Sequence, residues 1–365
     1  MKFSKDYPGG NILVKGFETG EDCTEIFLEQ EIRDSDRWWF YWNFRVDDAP
    51  AGKVRFSFSG KPLVCPWGAA VSTDGISWHY DTAGYEDGLH FSYTFDGSGK
   101  SVYFAFTLPY QVSHFEEYYK TIQEDPRVAR STLCQSEQGR EVPLLVFGEG
   151  DRDVVFSARS HCCESTASYV LEGVINALLG EYSYLLKRFR FHVIPFIDID
   201  GAENGDQGKG RKPHDHNRDF TENAIYLPVK AIVEYGLKLN NYCMIDFHSP
   251  WKWGDLDSRP HIHMTGAKDD PEELEEPFAQ TLKEVTQSLS GVHIVFHGYT
   301  THPSPEQKST EAGCSDDFFK NQGGAKVAFC IETPYSGDLE VPYTPELLRD
   351  WGENIIRAWS MTIGR

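Results

Sequence analysis

The chain has 365 residues, of which 40% are hydrophobic and 25% are charged, and a formal net charge of −21 at pH 7. This length is enough for two globular domains, each with its own hydrophobic core. The negative charge repels nucleic acids and anionic membrane surfaces, so neither is expected as a partner. A membrane span needs about 18 or more consecutive apolar residues, and the sequence has no such run. The N-terminus also lacks the apolar stretch of a signal peptide, so cytoplasmic residence is the expectation.

Residues 1–110 show short alternations of apolar and polar residues, which are typical of β-strands with one buried face. The alternating apolar residues fall in four stretches, at 40–46, 54–58, 91–95 and 102–106. Asp-Gly pairs, in which glycine tolerates a positive φ, provide turns at 74–75, 87–88 and 96–97. We therefore predict that residues 1–110 form an N-terminal domain, an all-β antiparallel sandwich.

From residue 111 onward, nearly continuous apolar runs alternate with segments of helical periodicity. Runs of this kind suit strands that are buried on both faces of an α/β sheet. The predicted strands are 144–147, 154–157, 191–197, 242–247 and 327–331. The predicted helical segments are 115–119, 170–179, 227–239 and 274–289. We predict a second domain of α/β class over residues 111–365.

Ionisable side chains follow four of the predicted strands at the point where each strand ends. They are His161, Asp198, Asp200, His248 and Glu332. In open α/β sheets, ligands bind at the carboxyl edge of the strands. Four strands that deliver such groups to one edge favour a functional site there.

A zinc site is the chemistry that these residues suggest. Glu164 lies three residues after His161, so its carboxylate and the imidazole can converge on one point. Zinc in hydrolytic sites is commonly held by two histidines and a glutamate, with a fourth position left to water. We predict one zinc ion per chain, held by His161, Glu164 and His248. Glu332 would take a proton from the activated water and return it to a leaving amine, which is worth roughly 10² to 10⁴ in rate.

Other interpretations of the same residues stay open. The eight cysteines show no Cys-x-x-Cys pair, and in a cytoplasmic chain they are expected to be reduced thiols. Cys162 and Cys163 lie between two of the candidate ligands, so a thiolate ligand is an alternative. A His-x-x-Glu pattern also arises by chance, and His248 alone fits an ordinary core or surface histidine.

A loop rich in glycine, residues 205–218, carries candidate substrate-binding side chains. Asn217 and Arg218 together can grip a carboxylate, the guanidinium in a bidentate manner. Arg211 can face the oxyanion that develops when hydroxide attacks a carbonyl. A carboxylate clamp beside a zinc site implies a substrate cut next to its own free carboxylate, which is the action of a carboxypeptidase. Without the zinc set, the same loop fits a solvated connector.

These motifs resemble those of the zinc metallocarboxypeptidase family, and most of all its cytosolic carboxypeptidase branch. The resemblance is carried by the segments ARSHCCE (158–164), PFIDIDG (195–201), DHNR (215–218), DFH (246–248) and CIET (330–333). It implies a mixed sheet with helices on both faces, preceded by the β-sandwich. It also implies a peptide or protein C-terminal tail as the substrate.

Carried over by position, the resemblance implies the same zinc ligands, with Glu332 as the general base. It assigns the terminal carboxylate to Asn217 and Arg218, the oxyanion to Arg211, and the orientation of the His161 imidazole to Asp215. The chain departs from the family pattern at three points. Asp198 stands in place of Asn, His216 in place of Leu, and Cys162-Cys163 in place of Pro-Gly.

Two other functions compete with the carboxypeptidase. An amidohydrolase of the aspartoacylase type uses a similar zinc set on N-acyl amino acids, but such enzymes tend to carry their β-domain after the catalytic one. A non-catalytic protein that binds peptide tails or glycans has no need of a general base, so the presence of Glu332 argues against it.

Overall fold

The computed structural model describes residues 1–33, 35, 39–250, 258–264, 274–301 and 313–365. The N-terminal part of the chain forms two β-sheets, with strands numbered along the chain. The first sheet contains, in spatial order, β1 (Lys2–Ser4), β4 (Asn43–Asp47), β9 (Val102–Ala105), β6 (Ala70–Ser72) and β7 (His79–Tyr80). The second contains β2 (Leu13–Thr19), β3 (Thr24–Glu29), β5 (Gly52–Phe58) and β8 (His90–Phe95). The strand pairs of both sheets are antiparallel, apart from β3 with β5, which is parallel.

Large aromatic side chains fill the space between the two sheets. Phe56 and Phe91 stack with ring centroids 4.8 Å apart, and Trp42 stacks on Phe91 at 5.6 Å. Phe104 comes from the opposite sheet and lies 5.1 Å from Phe56. Each such pair contributes about 0.5 to 1.5 kcal/mol beyond the burial of its area. The alternation seen in the sequence thus buries one face of each sheet against the other, as expected for a sandwich.

The second part of the chain is built on one eight-stranded mixed sheet. In spatial order its strands are β10 (Val128–Gln135), β11 (Glu141–Phe147), β13 (Phe189–Ile194), β12 (Arg152–Ala158), β14 (Asn241–His248), β17 (Val327–Glu332), β15 (His261–Met264) and β16 (Gly298–Thr301). The central strands β13, β12, β14 and β17 run parallel to one another. Residues 153–158 of β12 are all buried, as are residues 243–248 of β14, so both faces of the centre are covered. The predicted α/β fold with a mixed sheet is confirmed.

Seven α-helices occur in the described residues. They are α1 (Val112–Ile122), α2 (Thr166–Leu179), α3 (Ile199–Asn204), α4 (Leu227–Gly236), α5 (Glu275–Gln287), α6 (Ser315–Asn321) and α7 (Pro345–Met361). Helix α7 packs against both α2 and α5, while α6 packs against β14 and β17. None of the helices in the described ranges has the length and apolar character needed to span a membrane.

The sandwich is hydrogen-bonded to several segments of the second unit, and two of these segments adjoin α3 and β17. The loop that follows α3 accepts a bond from Asn11 Nδ2 at Gly205 O, 2.7 Å away. The segment that follows β17 is held at Tyr335 O, which accepts from Thr107 Oγ1 at 2.6 Å and from Tyr80 Oη at 2.8 Å. These contacts bring the N-terminal part of the chain close to the carboxyl ends of the central strands. The division of the chain at residue 110 stays a prediction.

Candidate active site

Three neighbouring parallel strands bring the candidate metal ligands to one edge of the sheet. β14 ends at His248 and β17 ends at Glu332, and these two residues are paired in the register of the two strands. β12 lies on the other side of β14, and His161 and Glu164 follow it in a tight loop. Because the carboxyl ends of parallel strands meet at one edge, residues distant in sequence come together there.

The side chains of His161, Glu164 and His248 form one compact and buried cluster. The candidate ligand atoms of the three residues all lie within 4.8 Å of one another. His161 Nδ1 is 3.0 Å from Glu164 Oε1, and His248 Nδ1 is 2.8 Å from Glu164 Oε2. Within the described ranges, no other group of three His, Cys, Asp or Glu side chains is close enough to share a metal ion.

The polar atoms of this cluster fit a bound metal better than they fit one another. His161 Nδ1 and Glu164 Oε1 are buried and lie 3.0 Å apart, yet they form no hydrogen bond of acceptable geometry with each other, and His161 Nδ1 has no other hydrogen-bond partner among the described residues. Glu164 Oε1 has the Lys209 ammonium as its charged neighbour, with Nζ 2.6 Å away. Buried polar groups without partners are rare, because each costs about 1 to 3 kcal/mol. Two imidazole nitrogens and a carboxylate that converge in this way match the ligand set of zinc in hydrolytic sites.

Asp246 holds the imidazole of His248 in place. Its Oδ2 lies 2.9 Å from His248 Nε2, which leaves Nδ1 directed at the cluster. The carboxylate also accepts from Ser157 at 2.7 Å, Ser160 at 2.9 Å and Ser315 at 2.6 Å. Burial alone would raise the pKa of Asp246, but the charge and hydrogen bond of His248 lower it below its usual value. A carboxylate that fixes the orientation of a ligating histidine also makes the nitrogen a better metal ligand.

Asp215 occupies the corresponding position beside the other histidine. Its Oδ1 lies 3.6 Å from His161 Nε2, on the side of the ring away from Glu164. Although burial would raise the pKa of Asp215, the neighbouring His161 and Arg218 lower it well below the ordinary value. The carboxylate is therefore charged, and its position suits the orienting role predicted for it.

Arg159 holds the loop between the candidate ligands His161 and Glu164 in place. This residue has a positive φ of 65°, and its buried guanidinium donates to Cys162 O and to Tyr110 O at 2.7 Å. The two thiols do not join the cluster. Cys162 Sγ lies 3.2 Å from Asp206 O, and Cys163 lies 3.7 Å from Tyr335 Oη. Burial raises the pKa of the Cys163 thiol to about 12, and neither sulfur atom belongs to the group of candidate ligand atoms.

Glu332 adds a carboxylate to the same edge; the residue is partly buried, and its Oε2 atom is enclosed. Its Oε2 has no hydrogen-bond partner among the residues that the structure describes. Burial raises the pKa of Glu332, the charge of Glu164 adds to this rise, and His248 opposes it. A carboxyl group with a raised pKa is suited to exchange protons near neutral pH.

Comparison with known proteins identifies the family. The model of the zinc carboxypeptidase family matches residues 115–302, which is about half of the chain. The chain belongs to the zinc carboxypeptidase family. Zinc is accordingly its metal, and the cluster of His161, Glu164 and His248 has the composition to hold it.

Several relatives of known sequence or structure resemble the chain. An uncharacterized protein of Zymomonas mobilis is 27% identical over 61% of this chain and 60% of its own length. Cytosolic carboxypeptidase 3 of Mus musculus is 28% identical over 40% of this chain and 16% of its own length. A metallo-carboxypeptidase structure from Burkholderia cenocepacia aligns with a TM-score of 0.78 and 16% identity, over 99% of this chain and 98% of that one. The structural likeness establishes the fold, while the chain spans less than two thirds of the two curated relatives.

Asn217 and Arg218 lie on a 3-10 turn that begins directly after Asp215. Arg218 Nη1 contacts Asn217 O at 2.8 Å and Cys314 Sγ at 3.2 Å, and Asn217 Oδ1 accepts from Ser315 N at 3.4 Å. The positive charge of Arg218 also helps to lower the pKa of Asp215, the carboxylate that contacts His161. The proximity suits the carboxylate clamp, whose assignment stays a prediction.

Two cations of the Gly-rich loop, Arg211 and Lys209, take different positions. Arg211 Nη1 lies 2.7 Å from Asp198 Oδ2, and Nη2 lies 3.4 Å from Asp206 Oδ2. The carboxylate of Asp198, where the family usually has asparagine, therefore balances the charge of Arg211. Lys209, which the sequence analysis did not single out, lies with its Nζ 2.6 Å from Glu164 Oε1. Its presence between glycines in the Gly-rich loop was the only sequence signal for it.

Proposed function

We propose that this protein is a zinc-dependent carboxypeptidase that hydrolyses the C-terminal peptide bond of a peptide or protein tail. The observation that carries the proposal is the buried His161, Glu164 and His248 cluster, with Glu332 next to it on the same sheet edge and its Oε2 without a hydrogen bond to the described residues. A cytoplasmic location remains a prediction, in line with the names of some relatives.

Glu332 is proposed as both the general base and the general acid. When bound, zinc lowers the pKa of a water molecule to about 7 and polarises the scissile carbonyl. The Glu332 carboxylate accepts the proton of that water and later donates it to the nitrogen of the leaving amino acid. Its raised pKa serves both steps, because a stronger base accepts the proton readily and still releases it to an amine.

The preference for a free C-terminus is assigned to Asn217 and Arg218. A planar guanidinium binds a carboxylate through two parallel N–H donors, and the amide of asparagine adds a third. Both residues lie within three positions of Asp215, which contacts the ligand His161. The terminal carboxylate would thus be held a short distance from the metal, which selects the last peptide bond of the substrate.

The test uses a peptide library with free or amidated C-termini, incubated with the zinc-loaded protein and read by mass spectrometry. We expect loss of one residue from free ends only, and no loss after treatment with a chelator. Glu332→Gln should lower turnover by roughly 10² to 10⁴ while the zinc content stays at one ion per chain. Arg218→Ala should raise KM for free-ended peptides, whereas Arg130→Ala, which removes a surface arginine paired with Glu116, should leave turnover unchanged.

Other outcomes of these experiments would indicate a different function for the protein. Cleavage of N-acyl amino acids without cleavage of peptides would indicate an amidohydrolase of the aspartoacylase type. Absence of turnover in protein that retains zinc would indicate a non-catalytic protein that binds peptide tails or glycans. Loss of zinc from Glu332→Gln would mean that this residue is a ligand and not the base.

A further inference from the structure

We infer that Lys209 is the catalytic cation of this site, in the role that the sequence assigns to Arg211, and that Trp39 of the N-terminal sandwich positions it. The inference rests on the proposed function, because it names the group that faces the negative charge developing on the scissile carbonyl. It also makes the sandwich a contributor to the reaction centre.

The Lys209 ammonium contacts the metal cluster. Nζ lies 2.6 Å from Glu164 Oε1, and the side chain is only 17% exposed. A charged group that is removed from water needs charged or polar partners. Glu164 is the direct partner, and Glu332 interacts with Lys209 electrostatically. The ammonium therefore contacts the metal cluster and acts electrostatically on the proposed general base.

Arg211 is already paired with two other carboxylates. Its guanidinium, 9% exposed, is paired with Asp198 and Asp206 and lies 3.2 Å from the ring of His216. Breaking these pairs would leave the nearly fully buried Asp198 with an uncompensated charge, which is strongly unfavourable. Arg211 thus anchors the loop to the start of α3, while Lys209 extends into the site.

Lys209 also contacts the aromatic ring of Trp39. Lys209 Nζ lies 4.5 Å from the centroid of the Trp39 ring, within the range of a cation–π interaction. Trp39 is 5% exposed, and its Nε1 is 3.4 Å from Tyr335 Oη, a residue of the segment after Glu332. The indole ring is therefore fixed from both parts of the chain. It limits the positions that the flexible lysine side chain can adopt.

The backbone next to Lys209 is also held by residues of the N-terminal sandwich. Gln207 is fully buried, and its Nε2 donates to Tyr41 O at 2.8 Å and to Glu31 O at 3.1 Å. Its Oε1 accepts from Tyr41 N at 3.0 Å. Gly208 has a φ of 76°, and a Cβ there would lie 2.7 Å from Cys162 N, so the loop presses directly on the metal-binding loop. Lys209 follows these two fixed residues, and its own carbonyl accepts from Ser35 Oγ.

A fixed ammonium at this position has a clear chemical use. When water adds to the peptide carbonyl, negative charge moves onto the carbonyl oxygen. A preorganised donor in a site with little water stabilises that charge, and removal of one such donor typically lowers kcat by about 10² to 10³. The ammonium carries three N–H donors, so contacts with Glu164 and Trp39 leave capacity for the substrate oxygen.

The experiment compares Lys209→Met and Lys209→Arg with the wild-type protein and with Lys320→Met. Lys320 is a matched control, because it also forms a shielded ion pair, 2.8 Å from Glu275, but on α6. We expect Lys209→Met to lower kcat by about 10² or more with little change in KM, and Lys209→Arg to restore part of it. The zinc content of both variants should stay at one ion per chain. Lys320→Met should lower the melting temperature and leave kcat unchanged.

A second readout does not depend on turnover. A phosphonate peptide, which mimics the tetrahedral anion, is titrated into each zinc-loaded protein by calorimetry, alongside the product peptide. Lys209→Met should weaken phosphonate binding by about 10² and leave product binding unchanged. Trp39→Leu should show a smaller loss of the same kind, and Trp39→Phe should retain phosphonate binding because it keeps an aromatic face.

Three results would overturn the assignment of Lys209. The first is unchanged kcat and unchanged phosphonate affinity in Lys209→Met. The second is loss of zinc from that variant, which would make Lys209 a structural partner of Glu164. The third is a kcat loss confined to Arg211→Gln, which would return the role to Arg211. A wild-type protein that holds zinc without cleaving peptides contradicts the proposed function instead, and the phosphonate titration then still decides on Lys209.

Discussion

Replacement of Asp246 by asparagine should weaken zinc binding without unfolding the protein. The Asp246 carboxylate is fully buried and receives four donors, three hydroxyls and the Nε2 of His248. Three of these donors meet Oδ2, and only Ser157 meets Oδ1. The amide of asparagine should therefore place its oxygen at the Oδ2 position and its NH₂ towards Ser157, whose hydroxyl can rotate to accept. The geometry is kept and the negative charge is removed.

The size of the effect follows from the loss of that charge. Substitution of a residue that orients a metal ligand typically lowers metal affinity 10- to 100-fold, which corresponds to about 1.4 to 2.7 kcal/mol. Because asparagine preserves the orientation of His248, we expect the lower end, a roughly 10-fold weaker zinc affinity. Hydrogen bonds to a charged acceptor are about twice as strong as those between neutral groups, so the metal-free protein should also lose stability.

The assay is a competition between the protein and a chelator of known zinc affinity, with Asp153→Asn as the control. Asp153 is likewise fully buried and bonded to a histidine, 2.8 Å from His192 Nε2, but it lies near the start of β12, whereas the metal cluster follows the end of that strand. Asp153→Asn should lower the melting temperature and leave zinc affinity unchanged. Equal zinc affinity of Asp246→Asn and wild type, or an equal loss in both variants, would refute the reasoning.

Two further predictions concern the stability of the fold. Gly173→Ala should destabilise by about 1 to 3 kcal/mol or more, because its Cβ would lie 1.9 Å from Arg349 O and force α7 away from α2. Gly16→Ala, which meets no atom within 4 Å, should change stability by less than about 0.5 kcal/mol, and equal urea midpoints for the two variants would contradict the packing argument. Zinc at about 100 times its Kd should stabilise the protein by about 2.7 kcal/mol over the metal-free form, and identical thermal scans with and without chelator would exclude metal binding to the folded state.

The sequence predicted the central strands well because burial leaves a simple pattern. β12, β14 and β17 are covered on both faces, so the middle part of each strand is a continuous apolar run, and the predicted ranges lie within the observed strands. β13 ends at Ile194, although the apolar run continues to residue 197, because residues 195–197 form a buried connection to α3. Apolar character shows burial, but it does not show where backbone pairing stops.

Two of the strands that escaped prediction, β10 and β2, are strands that burial does not mark. β10 is an edge strand with four consecutive exposed residues, 129–132, and it is held by pairing with β11 more than by apolar contact. β2 is mostly exposed for the same reason. The parallel pairing of β3 with β5 is also absent from any local pattern, because both orientations give the same alternation of side chains.

Some contacts of the site can be predicted from residues that are near in sequence, whereas others depend on the tertiary fold. Asp246 lies two residues before His248 on one strand, so both side chains point to the same face, and its orienting role could have been read from that spacing. The choice between Lys209 and Arg211 could not have been read from the sequence. The choice depends on Asp198, which precedes both residues by more than ten positions. Asp198 pairs with Arg211, whereas Lys209 pairs with Glu164. Which carboxylate a cation meets is set by the tertiary fold.

The arrangement also gives a physical reason for the N-terminal sandwich. Gln207 lies one residue from Gly208 and two from Lys209, and its amide is satisfied wholly by backbone and side-chain groups of the sandwich. Without those partners its buried donors and acceptor would each cost about 1 to 3 kcal/mol, so the loop would move to reach water. Lys209 would then lose both its fixed backbone and the face of Trp39. The ligands of the metal come from the α/β sheet, but the position of the cation beside them is determined by the sandwich.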